Sequence, residues 1–180
     1  TQDEAERDKY RTLVPMFEQM AELSHIIREH RKQRGSIDFD FPETKIVLDE
    51  NGRPIDIKPY ERNTATKMIE DFMLLANETV AEEYFWRELP FLYRTHETPD
   101  DEKIKKLSTL INNFGYHIHV GNGVRPMEVQ KLLGKAEGTP EEALIDRLAL
   151  RSMKQAKYSP ENTGHFGLAA KYYTHFTSPI

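Results

Sequence analysis

Residues Tyr158 to Ile180 read YSPENTGHFGLAAKYYTHFTSPI, a run dense in aromatic rings, glycine and hydroxyls. Most chain ends are polar and loosely held, whereas this segment has the composition of a site. Gly164 and Gly167 bracket His165 and Phe166, which suits a tight turn or a close approach of backbone to a ligand. The closing YYTHFTSPI adds rings that can stack on bases and hydroxyls that can reach phosphate or sugar. Taken alone, the segment hints at handling of single-stranded nucleic acid.

The bulk properties bound that hint. A chain of 180 residues suits one ordinary domain with a real core. Its formal net charge of -5 argues mildly against a free-standing nucleic-acid binder, which would ordinarily be basic. With no cysteine, disulfides, thiolate metal sites and cysteine nucleophiles are excluded, and a reducing cytoplasm is the natural compartment. No apolar run approaches the roughly 20 residues that span a bilayer. The opening TQDEAERDKY has neither a basic nor an apolar region of the signal-peptide kind. A start without methionine suits a fragment.

Periodicity outlines an α+β chain of mixed helices and short strands. Leu13, Phe17, Met20, Leu23 and Ile27 recur at helical spacing between Tyr10 and Arg31. The basic end of that helix, REHRKQRG, reads more simply as a solvated terminus stopped by Gly35 than as a phosphate contact. SIDFDF alternates like a strand, and TKIVLDENGRPIDIKP reads as a hairpin around a type I′ turn at Asn51-Gly52. A long helix is predicted from about Asn63 to Trp86, burying Ala65, Ile69, Phe72, Met73, Ala76, Val80 and Tyr84. PFLYRTH and YHIHV are predicted strands. Between them, a helix opened by Pro99 and Asp100 carries Ile104, Leu107, Leu110 and Ile111 and closes at Gly115. Two further helices begin at Pro126 and Pro140; Thr139 and Glu142 have capping-box spacing, and Leu144, Leu148 and Met153 mark the second helix's apolar face.

Several residues carry candidate chemistry. His117 and His119 share one face of HIH, a spacing that metal sites use, but two imidazoles without a third ligand are a weak signal. Asn77-Glu78-Thr79 matches a glycosylation sequon yet lies within a helix of a chain with no secretion signal. Phe39 reads first as core, since a strand phenylalanine is more often packed than stacking. Glu70 sits beside the apolar stripe of the long helix, where a carboxylate needs a partner or water; periodicity leaves open whether it lines a cleft or a salt bridge.

These stretches, in order, carry a family resemblance. YSPENTGHFGLAAKYYTHFTSPI resembles the signature segment of the ribonuclease II/ribonuclease R family, in the catalytic domain called RNB. RGSIDFDFPE (Arg34 to Glu43), RNTATKMIEDFMLLANETVAEE (Arg62 to Glu83) and RLALRSMKQAKYS (Arg147 to Ser159) agree with the same family. The pattern covers essentially the whole chain and is most similar to bacterial ribonuclease R. It implies a processive 3′→5′ exoribonuclease that hydrolyses single-stranded RNA to nucleoside 5′-monophosphates with magnesium. A non-catalytic module that grips or guides RNA is the alternative.

The resemblance assigns roles residue by residue. Phe39 matches the position that closes the base stack at the RNA 3′ end, and Glu70 the carboxylate that hydrogen-bonds the terminal ribose hydroxyls. Thr177 and Ser178 lie beside the place of a phosphate-binding arginine, while His165 is expected to shape its turn rather than transfer protons. The family's metal-binding aspartates belong to an acidic motif that has no counterpart in this sequence; the DFD of Asp38 to Asp40 belongs to a different motif. Residues 1–180 are therefore expected to form the C-terminal part of an RNB domain, with no catalytic or metal residue of its own and inactive alone. The aspartate-bearing half, with cold-shock and S1 modules, would lie elsewhere on the same polypeptide.

Overall fold

The computed structural model describes residues 3–38, 44–59, 63–121 and 123–178. In chain order these form α1 (Glu4–Lys9), α2 (Val14–Arg34), β1 (Thr44–Leu48), β2 (Pro54–Pro59), α3 (Thr64–Trp86) and β3 (Tyr93–Thr95). They continue with α4 (Asp101–Asn112), α5 (Pro126–Ala136), α6 (Glu142–Ser152) and β4 (Lys157–Ser159). The fold is α+β, as expected. Two antiparallel ribbons, β1–β2 and β3–β4, are set among the helices. Among the described residues no helix is long and apolar enough to cross a membrane.

The main core lies among α4, α5 and α6. Ile104, Leu107 and Ile111 of α4 meet Val129, Leu132 and Ala136 of α5 and Ile145 and Ala149 of α6, all buried. The spacing that predicted α4 identifies its inner face, except that Leu110 is exposed. Asp100 caps this helix by accepting hydrogen bonds from the Glu102 and Lys103 N–H groups, which satisfies donors that a helix start leaves unpaired. Ile37 and Phe166 join this core from outside the helices, the Ile37 N–H donating to the Gly167 carbonyl at 2.7 Å. The C-terminal segment is thereby stitched to the end of α2.

Helices α2 and α3 pack on different chemistry. Only part of the apolar stripe predicted for α2 turns inward: Leu13, Phe17 and Leu23 are exposed, Met20 and Ile27 are half-buried, and the helix's one buried residue is Ser24. Helix α2 also starts at Val14 rather than Tyr10, after a separate short α1 and a turn. In α3 the expected ends are found, with Asn63 accepting from the Thr66 N–H as N-cap, but the buried face is Asp71, Leu74, Asn77 and Ala81. The predicted stripe lies beside it, with Ile69 and Tyr84 exposed. Polar side chains with distant partners occupy the contact that hydrophobic periodicity would give to apolar ones.

Several local readings are corrected. The β1–β2 hairpin forms, but its turn is not type I′, which needs two residues with positive φ; here Gly52 has φ 77° and Asn51 is not positive. Instead the Gly52 N–H closes the turn on the Asp49 carbonyl at 3.0 Å, while Asp49 Oδ1 accepts from the Asn51 and Arg53 N–H groups. The YHIHV segment is not a strand: Ile118 is buried while His117 and His119 point outward on an irregular stretch. The Thr139–Glu142 capping box does not form. The Thr139 hydroxyl donates back to the Ala136 carbonyl and Glu142 accepts from the Gly138 N–H, so α6 begins without a side-chain cap. In α6 the inner face is Ile145, Ala149 and Ser152, with Leu144 exposed. Of SIDFDF, residues 36–38 lie outside any strand, and Phe39, Asp40 and Phe41 fall outside the described residues.

Candidate functional site

The frame of the site is an ion-pair seam between α2 and α3. Asp71, its side chain 2% exposed, accepts from Arg28 Nη2 at 2.6 Å, Arg31 Nη1 at 2.8 Å and Ser24 Oγ at 2.6 Å. A buried carboxylate is costly unless its lone pairs are satisfied, and here three donors converge on it. One turn further on, Arg34 makes a paired contact with Glu78, Nη1 to Oε2 and Nη2 to Oε1, both at 2.7 Å. The same Nη2 donates to the Leu168 carbonyl at 3.2 Å. The basic end of α2, expected to be a solvated terminus, is instead the clasp that joins α2, α3 and the C-terminal segment. That correction follows from partners at least forty residues away in sequence.

Gly35 makes the clasp possible. It ends α2 in the left-handed region at φ 97°, and a Cβ there would lie 3.0 Å from Met127 Cβ and the Met127 backbone nitrogen. Gln130 of α5 completes the junction by donating to the Lys32 and Ser36 carbonyls at 2.9 and 2.8 Å.

The glycine-bracketed loop is a tight turn, closed by reciprocal backbone bonds between His165 and Ala170 at 2.8 and 3.1 Å. His165 Nδ1 accepts from the Leu168 N–H at 3.2 Å. Burial, reinforced by the positive charge of His96, Arg94 and His175, pushes the His165 pKa down to about 3. It is therefore a neutral turn-former at ordinary pH. His96 reaches across from the β3 side: its Nδ1 accepts from the Gly167 N–H at 3.1 Å, in space that a Cβ at Gly167 would crowd. Tyr173 is buried beneath this turn, with its ring against that of His165 at 5.0 Å between centroids. His175 pairs with Tyr158 of β4, Nδ1 to Oη at 2.8 Å.

Beyond Tyr173 the chain crosses α3. The Thr177 N–H donates to Asn77 Oδ1 at 2.6 Å, Asn77 Nδ2 donates to the Thr177 carbonyl at 3.0 Å, and Thr177 Oγ1 is 3.5 Å from the Met73 carbonyl. Glu70 is half-buried on α3. Residues i and i+7 share one helix face, two turns or about 10 Å apart along the axis, which puts Glu70 on the Asn77 side of α3. Ser178, exposed, follows Thr177 directly. Of the four residues singled out from sequence, three therefore fall in one neighbourhood; the fourth, Phe39, lies outside the described residues. Sequence reading missed Asp71 and Asn77; a polar residue spaced with Leu74 and Ala81 on one face of α3 was the available sign.

Among the described residues no three histidine, aspartate or glutamate side chains gather where they could hold an ion. His117 Nδ1 lies 2.7 Å from the Asn112 amide oxygen. The residues described do not fit a magnesium site.

Comparison with known proteins bears on the reading. A family model described as RNB domain matches residues 1–180. The chain is 46% identical to ribonuclease R of Aquifex aeolicus over 178 residues, covering 99% of this chain and 25% of the relative. The structure of Mycoplasma genitalium RNase R in complex with ribose methylated single-stranded RNA superimposes with a TM-score of 0.87 at 31% identity, covering 94% of this chain and 27% of that one. Yeast Ssd1, a pseudonuclease, aligns with a TM-score of 0.57 at 28% identity over 67% of this chain and 15% of its own. The chain thus spans about a quarter of the length of the curated ribonucleases R it matches.

Proposed function

Because the chain belongs to the RNB domain family, matched over its whole length, we propose that the polypeptide carrying it is a processive 3′→5′ exoribonuclease acting on single-stranded RNA in the cytoplasm. It releases nucleoside 5′-monophosphates. Within it, this chain holds the RNA 3′ end: Phe39 closes the base stack, Glu70 hydrogen-bonds the terminal ribose hydroxyls, and Thr177 and Ser178 lie beside the phosphates. A carboxylate on the ribose reads the 2′-OH, the group that separates RNA from DNA. The observation that carries the reading is the crossing of the Thr177 segment over the face of α3 that also bears Glu70. It is supported by the likeness to an RNase R bound to single-stranded RNA.

The magnesium that the family resemblance implies, when bound, would activate water and offset charge on the phosphate. The described residues do not fit such a site; its ligands are proposed to lie on the aspartate-bearing part of the polypeptide. The cold-shock and S1 modules of the same polypeptide would supply further RNA affinity. This chain's residues bind and orient.

The test is degradation of a single-stranded RNA labelled at either end by the full-length polypeptide. The reading expects mononucleotide release from the 3′ end, dependent on added magnesium, and no hydrolysis by residues 1–180 alone. Internal cleavage, or release starting from the 5′ end, would contradict it. The second reading, a non-catalytic RNA-gripping module, is favoured by the likeness to a pseudonuclease; it expects RNA binding by the full-length polypeptide without nucleotide release.

A further inference from the structure

We propose that Asn77 is the positioning residue of this site, fixing the Thr177–Ser178 segment against α3 at a set distance from Glu70 without touching RNA itself. The inference rests on the function proposed above. Asn77 is fully buried. Its amide makes four hydrogen bonds: Oδ1 accepts from the Thr177 N–H at 2.6 Å and from Thr177 Oγ1 at 3.1 Å, and Nδ2 donates to the Thr177 carbonyl at 3.0 Å and to Tyr173 Oη at 3.3 Å. Two donors and two lone pairs are all that an asparagine side chain has, so this one is saturated.

Pairing both the N–H and the carbonyl of a single residue reproduces with a side chain what a neighbouring strand does with its backbone. Such a contact sets orientation as well as distance. A single hydrogen bond would leave the segment free to rotate about it; the paired amide does not. The helix that carries Asn77 is itself held, six residues earlier by the Asp71 seam and one residue later by the Arg34–Glu78 pair. A chain of rigid contacts therefore leads from α2 through α3 to Thr177. Groups that must meet a substrate end within a fraction of an ångström need such support behind them.

The experiment uses the full-length polypeptide and compares Asn77→Leu, Asn77→Asp and Leu107→Ala with Phe39→Ala and Glu70→Ala. Leucine keeps the branching of asparagine at Cγ, in a bulkier side chain, and leaves the Thr177 backbone groups unpaired; Leu107→Ala weakens the separate α4 core. For Asn77→Leu we expect kcat on single-stranded RNA to fall about tenfold or more with KM within about twofold, the pattern of a lost transition-state interaction. Leu107→Ala, at a similar drop in melting temperature, keeps kcat. In Asn77→Asp the ionised carboxylate accepts from Thr177 but cannot donate to its carbonyl, so kcat relative to the parent should rise as pH falls and the acid form restores the donor. The proposal is overturned if Asn77→Leu turns over normally while Phe39→Ala and Glu70→Ala are impaired. It is equally overturned if Asn77→Leu and Leu107→Ala lose kcat in proportion to stability. If Asn77→Leu does not fold, a relative pH profile for Asn77→Asp that stays flat overturns it. Normal turnover by Phe39→Ala, Glu70→Ala and Asn77→Leu together would remove the end-binding reading, and this inference with it.

Discussion

Arg31 of α2 reaches Asp71 of α3 with Nη1 2.8 Å from Oδ1, forty residues away in sequence, and Asp71 is almost completely buried. With Arg28 and Ser24 on its other oxygen, this carboxylate is the pivot on which the two longest helices meet.

Asp71→Ala should therefore act as a packing mutation. It strands the half-buried Arg28 and the largely buried Arg31 beside each other with no counter-charge. Breaking such a pair costs about 3 kcal/mol. Urea denaturation of the polypeptide should show a loss of that size in the unit containing α2 and α3, and a change within 0.5 kcal/mol (about the scatter of surface substitutions) would count against the seam.

The depressed His165 pKa sets a direction for pH dependence. The unfolded side chain takes up a proton near its ordinary value of 6.5, whereas the folded one stays neutral down to about 3. Its contribution to stability is fully present above about pH 6.5 and is lost as pH falls from there toward 3, by at most about 1.4 kcal/mol per unit. His96 and His175, also pushed down chiefly by burial, act in the same sense. His165→Asn keeps an acceptor for the Leu168 N–H and removes the titration. Melting temperatures between pH 6.5 and 4.5 should then fall less steeply than in the parent protein, and an unchanged slope would show that His165 does not titrate as described.

Gly35→Ala tests the junction of α2 and α5. The left-handed φ of 97° disfavours any Cβ, and this one would press on Met127. A loss of about 1–2 kcal/mol is expected, read as a lower denaturation midpoint. Gly52→Ala has the same kind of φ but open space around it, so it should cost less; equal losses would remove the role assigned to Met127.

Glu70→Ala tests the proposed ribose contact. With RNAs ending in a 2′-hydroxyl or a 2′-deoxy nucleotide, the proposed contact has the full-length polypeptide prefer the former, and the variant should lose about tenfold of that preference. That is the worth of one hydrogen bond to a charged group, roughly 1.5 kcal/mol. An undiminished preference would place the 2′-OH contact elsewhere.

The elements were more legible in the sequence than the faces they bury. Asn63 announces the start of α3, Asp100 that of α4, and alternation around Asn51-Gly52 the β1–β2 hairpin. The α4 face emerged from spacing because its partners in α5 and α6 are apolar too. For α2 and α3 the same method failed, since Ser24, Arg28, Arg31, Asp71 and Asn77 make the contact through polar groups whose partners lie far along the chain. Periodicity registers hydrophobicity and is blind to satisfied polarity. Asn77 was visible only as an unused sequon, because its partner Thr177 is one hundred residues away. Glu70 and Thr177 stood out through family resemblance, and the packing that brings their segments onto one face of α3 could be seen only in three dimensions.

Crosslinking tests the proposed grip of this chain on the 3′ end of RNA at its points of contact. An RNA carrying 4-thiouridine at its 3′ terminus is bound to the full-length polypeptide without divalent metal, irradiated, and the adducts are mapped by mass spectrometry. Adducts are expected in peptides containing Phe39, Glu70 or Thr177–Ser178, and are expected to vanish when the label is moved to the 5′ terminus. Adducts confined to other peptides, or identical from both termini, would contradict it.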